Sequence, residues 1–125
     1  MSNKGTEIVL TGDEVSTIVF ALMKASAYEN EYWRELAERS AKAENAMDKK
    51  EQYFTFTNNS MYYLREYTKL IQKLCRQRAK RQGGIYRQDT MQFMRSSVSD
   101  MKKYTEESIE KARCAILGKQ VNTDA

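Results

Sequence analysis

Apolar residues recur at steps of three and four residues along most of the chain, which is the spacing of one face of an α-helix. The first stripe follows a capping-box pattern, Thr11 with Glu14, and predicts a helix over about residues 12–45. Further apolar residues between Phe20 and Tyr28 lie off this stripe. They predict that the first half of the helix is buried on more than one side.

A second stripe predicts a helix over about residues 49–82, with Asp48 as its cap. The pair Gly83 and Gly84 should end this helix, because glycine is common just after a helix C-terminus. The polar run at residues 57–60 leaves open whether the helix is continuous or broken.

A third stripe predicts a helix over about residues 89–117, capped by Asp89 and stopped by Gly118. Three helices of about 30 residues are each about 45 to 50 Å long, and short connections make neighbours antiparallel. We therefore predict an all-α fold, an elongated antiparallel bundle of three long helices that resembles a coiled coil. The absence of proline and a charged fraction of 30% agree with a helical protein.

The domain organisation expected for 125 residues is simple. Residues 1–10 form a short extended arm, residues 11–118 form a single helical domain, and residues 119–125 form a flexible tail. The chain has more apolar surface than one small core can bury, notably at Phe20, Met23 and the methionines of the third helix. We therefore expect oligomerisation to complete the bundle, and a homodimer is the favoured form.

The expected location is the cytoplasm. No apolar run approaches the roughly 20 residues that cross a bilayer, and the N-terminal sequence lacks the apolar core of a signal peptide, so no membrane partner is expected. Cys75 and Cys114 both fall on apolar helix faces and are expected to be reduced, structural thiols.

Positive charge is concentrated in the second helix. The net charge is −2 over residues 1–50, +5 over residues 51–82 and +1 over residues 83–125. Helical spacing places the positive residues on one exposed line about 22 Å long, with Glu66 pointing away from it. This basic ridge consists of Tyr62, Arg65, Lys69, Lys73, Arg76 and Lys80.

Three interpretations of the basic ridge stay open: a solvated helix face, a surface for an acidic protein partner, and a surface for nucleic acid. The sequence has no helix-turn-helix spacing, zinc finger or RNA-binding aromatic motif that would favour nucleic acid.

Aromatic residues form a second feature near the middle of both helices. Folding the first two helices into a hairpin is expected to bring Tyr28, Tyr32 and Trp33 level with Tyr63 and Tyr67, beside Tyr62. We call the first five residues the aromatic belt. One interpretation is that the belt forms an interface or a ligand pocket. The other is that Trp33 and Tyr67 fill a wide core and the remaining rings lie on the surface. Glu29 lies on the apolar stripe, so its carboxylate needs a partner, an exit to solvent or a polar pocket.

A line of charged residues follows the outer face of the first helix, Glu31, Glu35, Glu38 and Lys42. We expect a solvated face with a Glu38 to Lys42 pair, which is also complementary to the basic ridge of another copy.

Nothing in the sequence indicates catalysis. The chain has no histidine, no glycine-rich phosphate loop and no cysteine beside a basic orienting group, and we expect no metal and no cofactor. The favoured function is a small non-enzymatic helical binding protein that acts on a larger protein, as an adaptor or stoichiometric inhibitor in the style of phage or mobile-element proteins. The alternatives are nucleic-acid binding along the basic ridge and sequestration of a small ligand, such as a nucleotide, by the aromatic belt.

Overall fold

Three long helices make up the whole of the regular structure in a computed structural model that describes residues 5–42 and 45–118. They are α1, Gly12–Ala41, α2, Ala46–Lys80, and α3, Gly84–Leu117. The predicted all-α bundle is confirmed. Of the predicted N-terminal arm only residues 5–10 are described, and the predicted tail at 119–125 lies outside the described residues.

The helices run up, down and up. At one end of the bundle, Val19 near the start of α1 packs in one apolar cluster with Ile71 near the end of α2 and Met94 near the start of α3. At the other end, Ala41, Phe56 and Ile116 form a second cluster. The antiparallel order expected from short connections is therefore observed.

The start of α1 forms as the sequence predicts. Glu14 N donates to Thr11 Oγ1 at 3.1 Å, and Thr11 N donates to Glu14 Oε1 at 2.8 Å, which completes the capping box. The end of α3 is also confirmed, because Gly118 has φ +77° and its N–H donates to Cys114 O.

The start of α2 differs from the prediction. Its cap is Asn45, whose side chain accepts a hydrogen bond from Asp48 N at 3.0 Å, and the helix begins at Ala46. The expectation of Asp48 as cap is wrong because Asn45, an equally good cap, lies three residues earlier. The polar run at residues 57–60 does not break the helix.

The turn between α2 and α3 is shorter than predicted. α2 ends at Lys80 and α3 already begins at Gly84, so Asp89 lies inside α3 and does not cap it. Gly83 is the extended N-cap residue and Gly84 has φ +55°, a left-handed conformation that glycine adopts without strain. The two glycines therefore form the turn and the start of α3.

A polar layer separates the two apolar clusters. Each helix contributes a side chain to it: Ser26 and Asn30 from α1, Ser60 from α2, and Thr105 and Ser108 from α3, all buried. The side chain of Asn30 links two helices, because Nδ2 donates to Ser26 O at 3.0 Å and to Thr105 Oγ1 at 3.4 Å. Apart from buried Ser97, which lies between Met94 and Met101 in α3, the core is thus apolar at both ends and polar in the middle.

The first half of α1 is more exposed than the sequence predicts. Phe20 is 52% exposed and Tyr28 is 70% exposed, so this stretch is not buried on several sides. The Phe20 ring packs edge-on against Phe93 of α3, with centroids 5.5 Å apart. Part of the apolar surface that suggested a second copy is therefore used within the chain.

One of the two cysteines differs from expectation. Both are free thiols, but only Cys75 is buried, and burial raises the pKa of its thiol. Cys114 is exposed, so the expectation that it packs as a structural thiol is wrong.

Candidate functional site

The basic ridge lies on the solvent-facing side of α2. All six of its residues are exposed: Tyr62, Arg65, Lys69, Lys73, Arg76 and Lys80. The Arg65 guanidinium lies over the Tyr62 ring at 6.0 Å from its centroid, which is a cation–π distance. The ridge therefore presents its charge to solvent along several turns of one helix.

One acid borders the ridge, contrary to the sequence prediction. Glu66 Oε2 accepts a hydrogen bond from Lys69 Nζ at 3.0 Å, so Glu66 does not point away. The two residues are three positions apart, and residues at this spacing are neighbours on a helix surface. Such an exposed pair contributes little free energy, on the order of 0 to 1 kcal/mol.

The aromatic belt is divided between two surfaces. Trp33, Tyr63 and Tyr67 line a groove between α1 and α2. Tyr28 and Tyr32 lie on another side of α1, beside Tyr104 of α3. The expectation of one continuous belt is therefore wrong, although neighbouring rings connect the two surfaces, since the Tyr32 and Trp33 centroids are 5.0 Å apart.

We name the larger of these surfaces the α1/α2 groove. Its volume is about 540 Å³. It is lined by Ser26, Glu29, Asn30, Trp33, Leu36, Ala37 and Ser40 of α1 and by Gln52, Thr55, Phe56, Asn59, Ser60, Tyr63 and Tyr67 of α2. Most of these side chains are small or polar, so they do not fill the space between the two helices.

Trp33 does not fill a wide core. Its position on the apolar stripe suggested burial as one interpretation, yet it is 52% exposed in the α1/α2 groove. Tyr63 on the opposite wall is 50% exposed. Two large rings thus border a concave surface, which is the arrangement of anchor residues in many interfaces.

Glu29 finds the partner that its position on the stripe requires. The Tyr67 hydroxyl donates to Glu29 Oε1 at 2.7 Å across the groove. Burial, followed by this hydrogen bond and the Glu29 charge, raises the pKa of Tyr67 to about 12. The pair fixes the wall of the groove and keeps the phenol protonated.

Asn30 was not identified from the sequence, although it follows Ser26 by one helical turn and lies beside Glu29. It is 93% buried and lines the groove, and its Oδ1 atom has no hydrogen-bond partner within the described residues. A buried carbonyl oxygen without a donor is costly. Asn30 therefore adds a buried polar atom without a partner among the described residues to the wall of the groove.

Arg34 partly neutralises the line of glutamates on the outer face of α1. Arg34 Nη1 donates to Glu38 Oε2 at 3.0 Å, and Arg34 Nη2 lies 3.8 Å from Glu31 Oε2. The expected partner of Glu38 was Lys42, but Arg34, one turn earlier, takes that place.

None of the three helices, over the part of the chain that the structure describes, has an apolar stretch long enough to cross a membrane. In residues 5–42 and 45–118 no three histidine, cysteine, aspartate or glutamate side chains are grouped closely enough to hold a metal ion. Comparison with known proteins found no matching family model, no matching curated protein and no matching solved structure.

Proposed function

We propose that this chain is a non-enzymatic binding protein that docks an acidic, amphipathic helix of a protein partner into the α1/α2 groove. The proposal is supported mainly by the meeting of groove and basic ridge at Tyr62 and Tyr63. Tyr62 belongs to the ridge, Tyr63 lines the groove, and their ring centroids are 5.2 Å apart. A groove bordered by aromatic rings thus adjoins a positive surface on the same helix.

The length of the groove favours a helix as its occupant. On α1 the lining runs from Ser26 to Ser40, which is about 21 Å at 1.5 Å per residue. This distance corresponds to about four turns of a docked helix, which would form a local four-helix arrangement. Helices that bind in this way insert apolar side chains at spacings of three, four and seven residues, and Trp33 and Tyr63 offer rings for such contacts.

The cations of the basic ridge are available to an acidic partner. Arg65, Lys73 and Arg76 form no ion pair within residues 5–42 and 45–118. Lys69 is paired only with exposed Glu66, and a partner carboxylate can replace this weak interaction at little cost. Complementary charge of this kind accelerates association and orients the partner. The α2 lining of the groove ends at Tyr67, whereas the ridge continues to Lys80. The bound helix is therefore acidic at the end that meets the ridge.

Site-specific photo-crosslinking in cells of the source organism tests the proposal. A benzophenone side chain replaces Tyr63 in the groove, or Tyr86, which is 71% exposed at the start of α3, as the control position. We expect a protein captured from position 63 only. Equal capture of the same protein from position 86 would contradict docking in the groove.

A charge-reversal series tests the role of the ridge in the same assay. The triple variant Lys69→Glu, Lys73→Glu and Arg76→Glu should abolish capture. The matched control reverses three exposed lysines of α3, Lys102→Glu, Lys103→Glu and Lys111→Glu, and should retain it. Circular dichroism must show the same helicity for both variants. Equal loss in both variants would mean that only net charge matters.

The captured segment then identifies the occupant. A synthetic peptide of that segment should gain helicity when it binds and should alter the fluorescence of Trp33, the only tryptophan of the chain. A segment without acidic residues, or one that binds without forming a helix, would contradict the acidic-helix proposal.

Nucleic-acid binding along the basic ridge is the second candidate, because all five cations of the ridge are exposed. Anisotropy of a labelled random DNA duplex at rising salt tests it. If the five cations contact phosphates, the logarithm of affinity should fall with a slope of about −4.5 against the logarithm of salt concentration. Binding that is unchanged in the Lys69, Lys73 and Arg76 triple variant would exclude this candidate.

Three further expectations accompany the proposal. A cytoplasmic location is part of it and is checked by fractionation of the source cells. The homodimer expected from the sequence is checked by sedimentation equilibrium of the full chain. Sequestration of a nucleotide is checked by Trp33 fluorescence across a panel of nucleotides, and an unchanged signal would exclude it.

A further inference from the structure

The part of the aromatic belt outside the groove forms a separate concave surface between α1 and α3. It has a volume of about 420 Å³ and is lined by Ala27, Tyr28, Glu31, Tyr32, Glu35 and Tyr104. We propose that this tyrosine–glutamate cluster binds an organic cation, either an alkylated ammonium or a guanidinium group. The inference is independent of the partner proposed for the α1/α2 groove.

Two exposed tyrosine rings of α1 lie side by side in this cluster. Tyr28 and Tyr32 are one helical turn apart, and their rings are nearly parallel, with an interplanar angle of 15° and centroids 6.3 Å apart. Tyr28 is 70% exposed and Tyr32 is 47% exposed, so both rings are accessible. The face of a tyrosine ring has negative electrostatic potential and attracts cations within about 6 Å of its centroid.

Two carboxylates add negative charge to the same surface. Glu35 forms no ion pair in the described part of the chain. Glu31 lies 3.8 Å from Arg34, but Arg34 makes its closer bond, at 3.0 Å, to Glu38. The cluster thus retains negative charge that its own neighbours only partly neutralise.

Tyr104 attaches the third wall of the cluster to α1. Its hydroxyl donates to Glu31 Oε1 at 3.3 Å and approaches Ala27 O at 3.4 Å. Burial and the Glu31 charge raise the pKa of Tyr104, so the phenol remains neutral and adds no repulsion between anions. The three rings and two carboxylates are therefore held by two helices of the bundle.

The chemistry favours an organic cation over a metal ion. Calcium takes six to eight oxygen ligands and magnesium requires a regular octahedron of them, whereas this surface offers two carboxylates among aromatic rings. Rings that present their faces, together with a few carboxylates, are how proteins recognise alkylated ammonium and guanidinium groups.

Ligand titrations of the full chain, followed by NMR of the tyrosine ring resonances, test the proposal. The probes are choline, its uncharged isostere 3,3-dimethylbutan-1-ol, and N-acetylarginine amide. We expect a charged probe to shift the Tyr28 and Tyr32 resonances to saturation, and the uncharged isostere to leave them in place. Equal shifts with the isostere, or no saturable shift with either charged probe, would overturn the proposal.

Variants locate the binding. Tyr28→Ala and Glu35→Gln replace exposed side chains, so both should fold, and each should weaken binding of the charged probe about two- to fivefold, the effect of one exposed cation–π or ionic contact. Tyr86→Ala, an exposed tyrosine of α3 outside the cluster, is the matched control and should bind as the unaltered chain does. Unchanged affinity in both cluster variants would also overturn the proposal.

The same measurements distinguish the two sources of the cation. Preference for choline indicates a free alkylated ammonium compound, and preference for N-acetylarginine amide indicates a side chain of another polypeptide. If that polypeptide is a second copy, its basic ridge supplies the cation. Glu35→Lys and Arg65→Glu should then each reduce self-association in sedimentation equilibrium, and a mixture of the two variants should restore it.

Discussion

The hydroxyl of Tyr67 on α2 donates a 2.7 Å hydrogen bond to the carboxylate of Glu29 on α1. It joins the two walls of the α1/α2 groove at a point where both side chains are half-buried. A hydrogen bond to a charged acceptor stabilises more than one between neutral groups. This contact therefore both supports the fold and shapes the proposed docking surface.

Removing the Tyr67 hydroxyl should destabilise the fold. Tyr67→Phe leaves the half-buried Glu29 carboxylate without its donor, so the free energy of unfolding should fall by about 1.5 to 3 kcal/mol. Urea denaturation followed by circular dichroism measures it. The control Tyr28→Phe removes a hydroxyl from a residue that is 70% exposed and should change stability by less than about 0.5 kcal/mol. Equal effects of the two variants would show that the bond contributes nothing.

The same contact predicts a late step in the alkaline titration. The folded chain holds the pKa of Tyr67 at about 12, against 10.0 for an ordinary tyrosine. The fold favours the neutral phenol, so this contribution to stability is complete below about pH 10 and is lost as the pH rises through 12. Absorbance of the phenolate should show a step near pH 12 among the eight tyrosines, and Tyr67→Phe should remove it. A step near pH 12 that persists in the variant would contradict the assignment.

The number of helices, their approximate positions and the start of α1 were predictable from the sequence, but the starts of α2 and α3 and the mutual arrangement of the helices were only partly so. The Thr11 and Glu14 pattern is local, and the capping box forms as expected. Competing local signals caused the errors at helix ends, as where Asn45 rather than Asp48 caps α2.

The division of the aromatic belt had a signal in the sequence. Tyr28 and Trp33 are five residues apart, which places them about 140° apart around a helix, so both cannot face α2. The unpartnered Oδ1 atom of Asn30, in contrast, had no signal in the sequence. It depends on contact with Thr105, 75 positions later in the chain, and on the space left between α1 and α2.

Replacing the buried amide of Asn30 should stabilise the fold. Asn30→Leu removes an oxygen that has no donor among the described residues and puts an apolar side chain of similar size in its place. We expect the free energy of unfolding to rise by about 1 kcal/mol beyond the gain from helix propensity alone. Asn58→Leu, at an exposed position of α2, measures that propensity gain, on the order of 0.5 kcal/mol. A less stable Asn30→Leu chain would show that the bonds from Nδ2 to Ser26 O and Thr105 Oγ1 outweigh the unpartnered oxygen.

The two thiols should react at very different rates. A disulfide reagent that reports released chromophore should modify Cys114 rapidly in the folded chain, because that thiol is exposed. Cys75 is buried with a raised pKa, so it should react only when the bundle opens. Cys114→Ser should eliminate the fast phase and leave a slow phase that urea accelerates. Two fast thiols in the native chain would contradict the packing around Cys75.

The polar layer between the two apolar clusters also determines how the helices align along their length. Ser26 and Asn30 of α1 lie at the same level as Ser60 of α2 and Thr105 of α3. Sliding one helix by four residues, about one turn, would bring these polar groups level with Leu64 or Met101, where they would lose their partners and the apolar side chains would lose theirs. The layer thus favours the observed alignment, because arrangements with one helix shifted by a turn would bury these polar groups among apolar side chains. A helix docked in the groove as proposed would lie against the same polar layer at Ser26, Asn30 and Ser60, which favours a polar residue at that level of its own sequence.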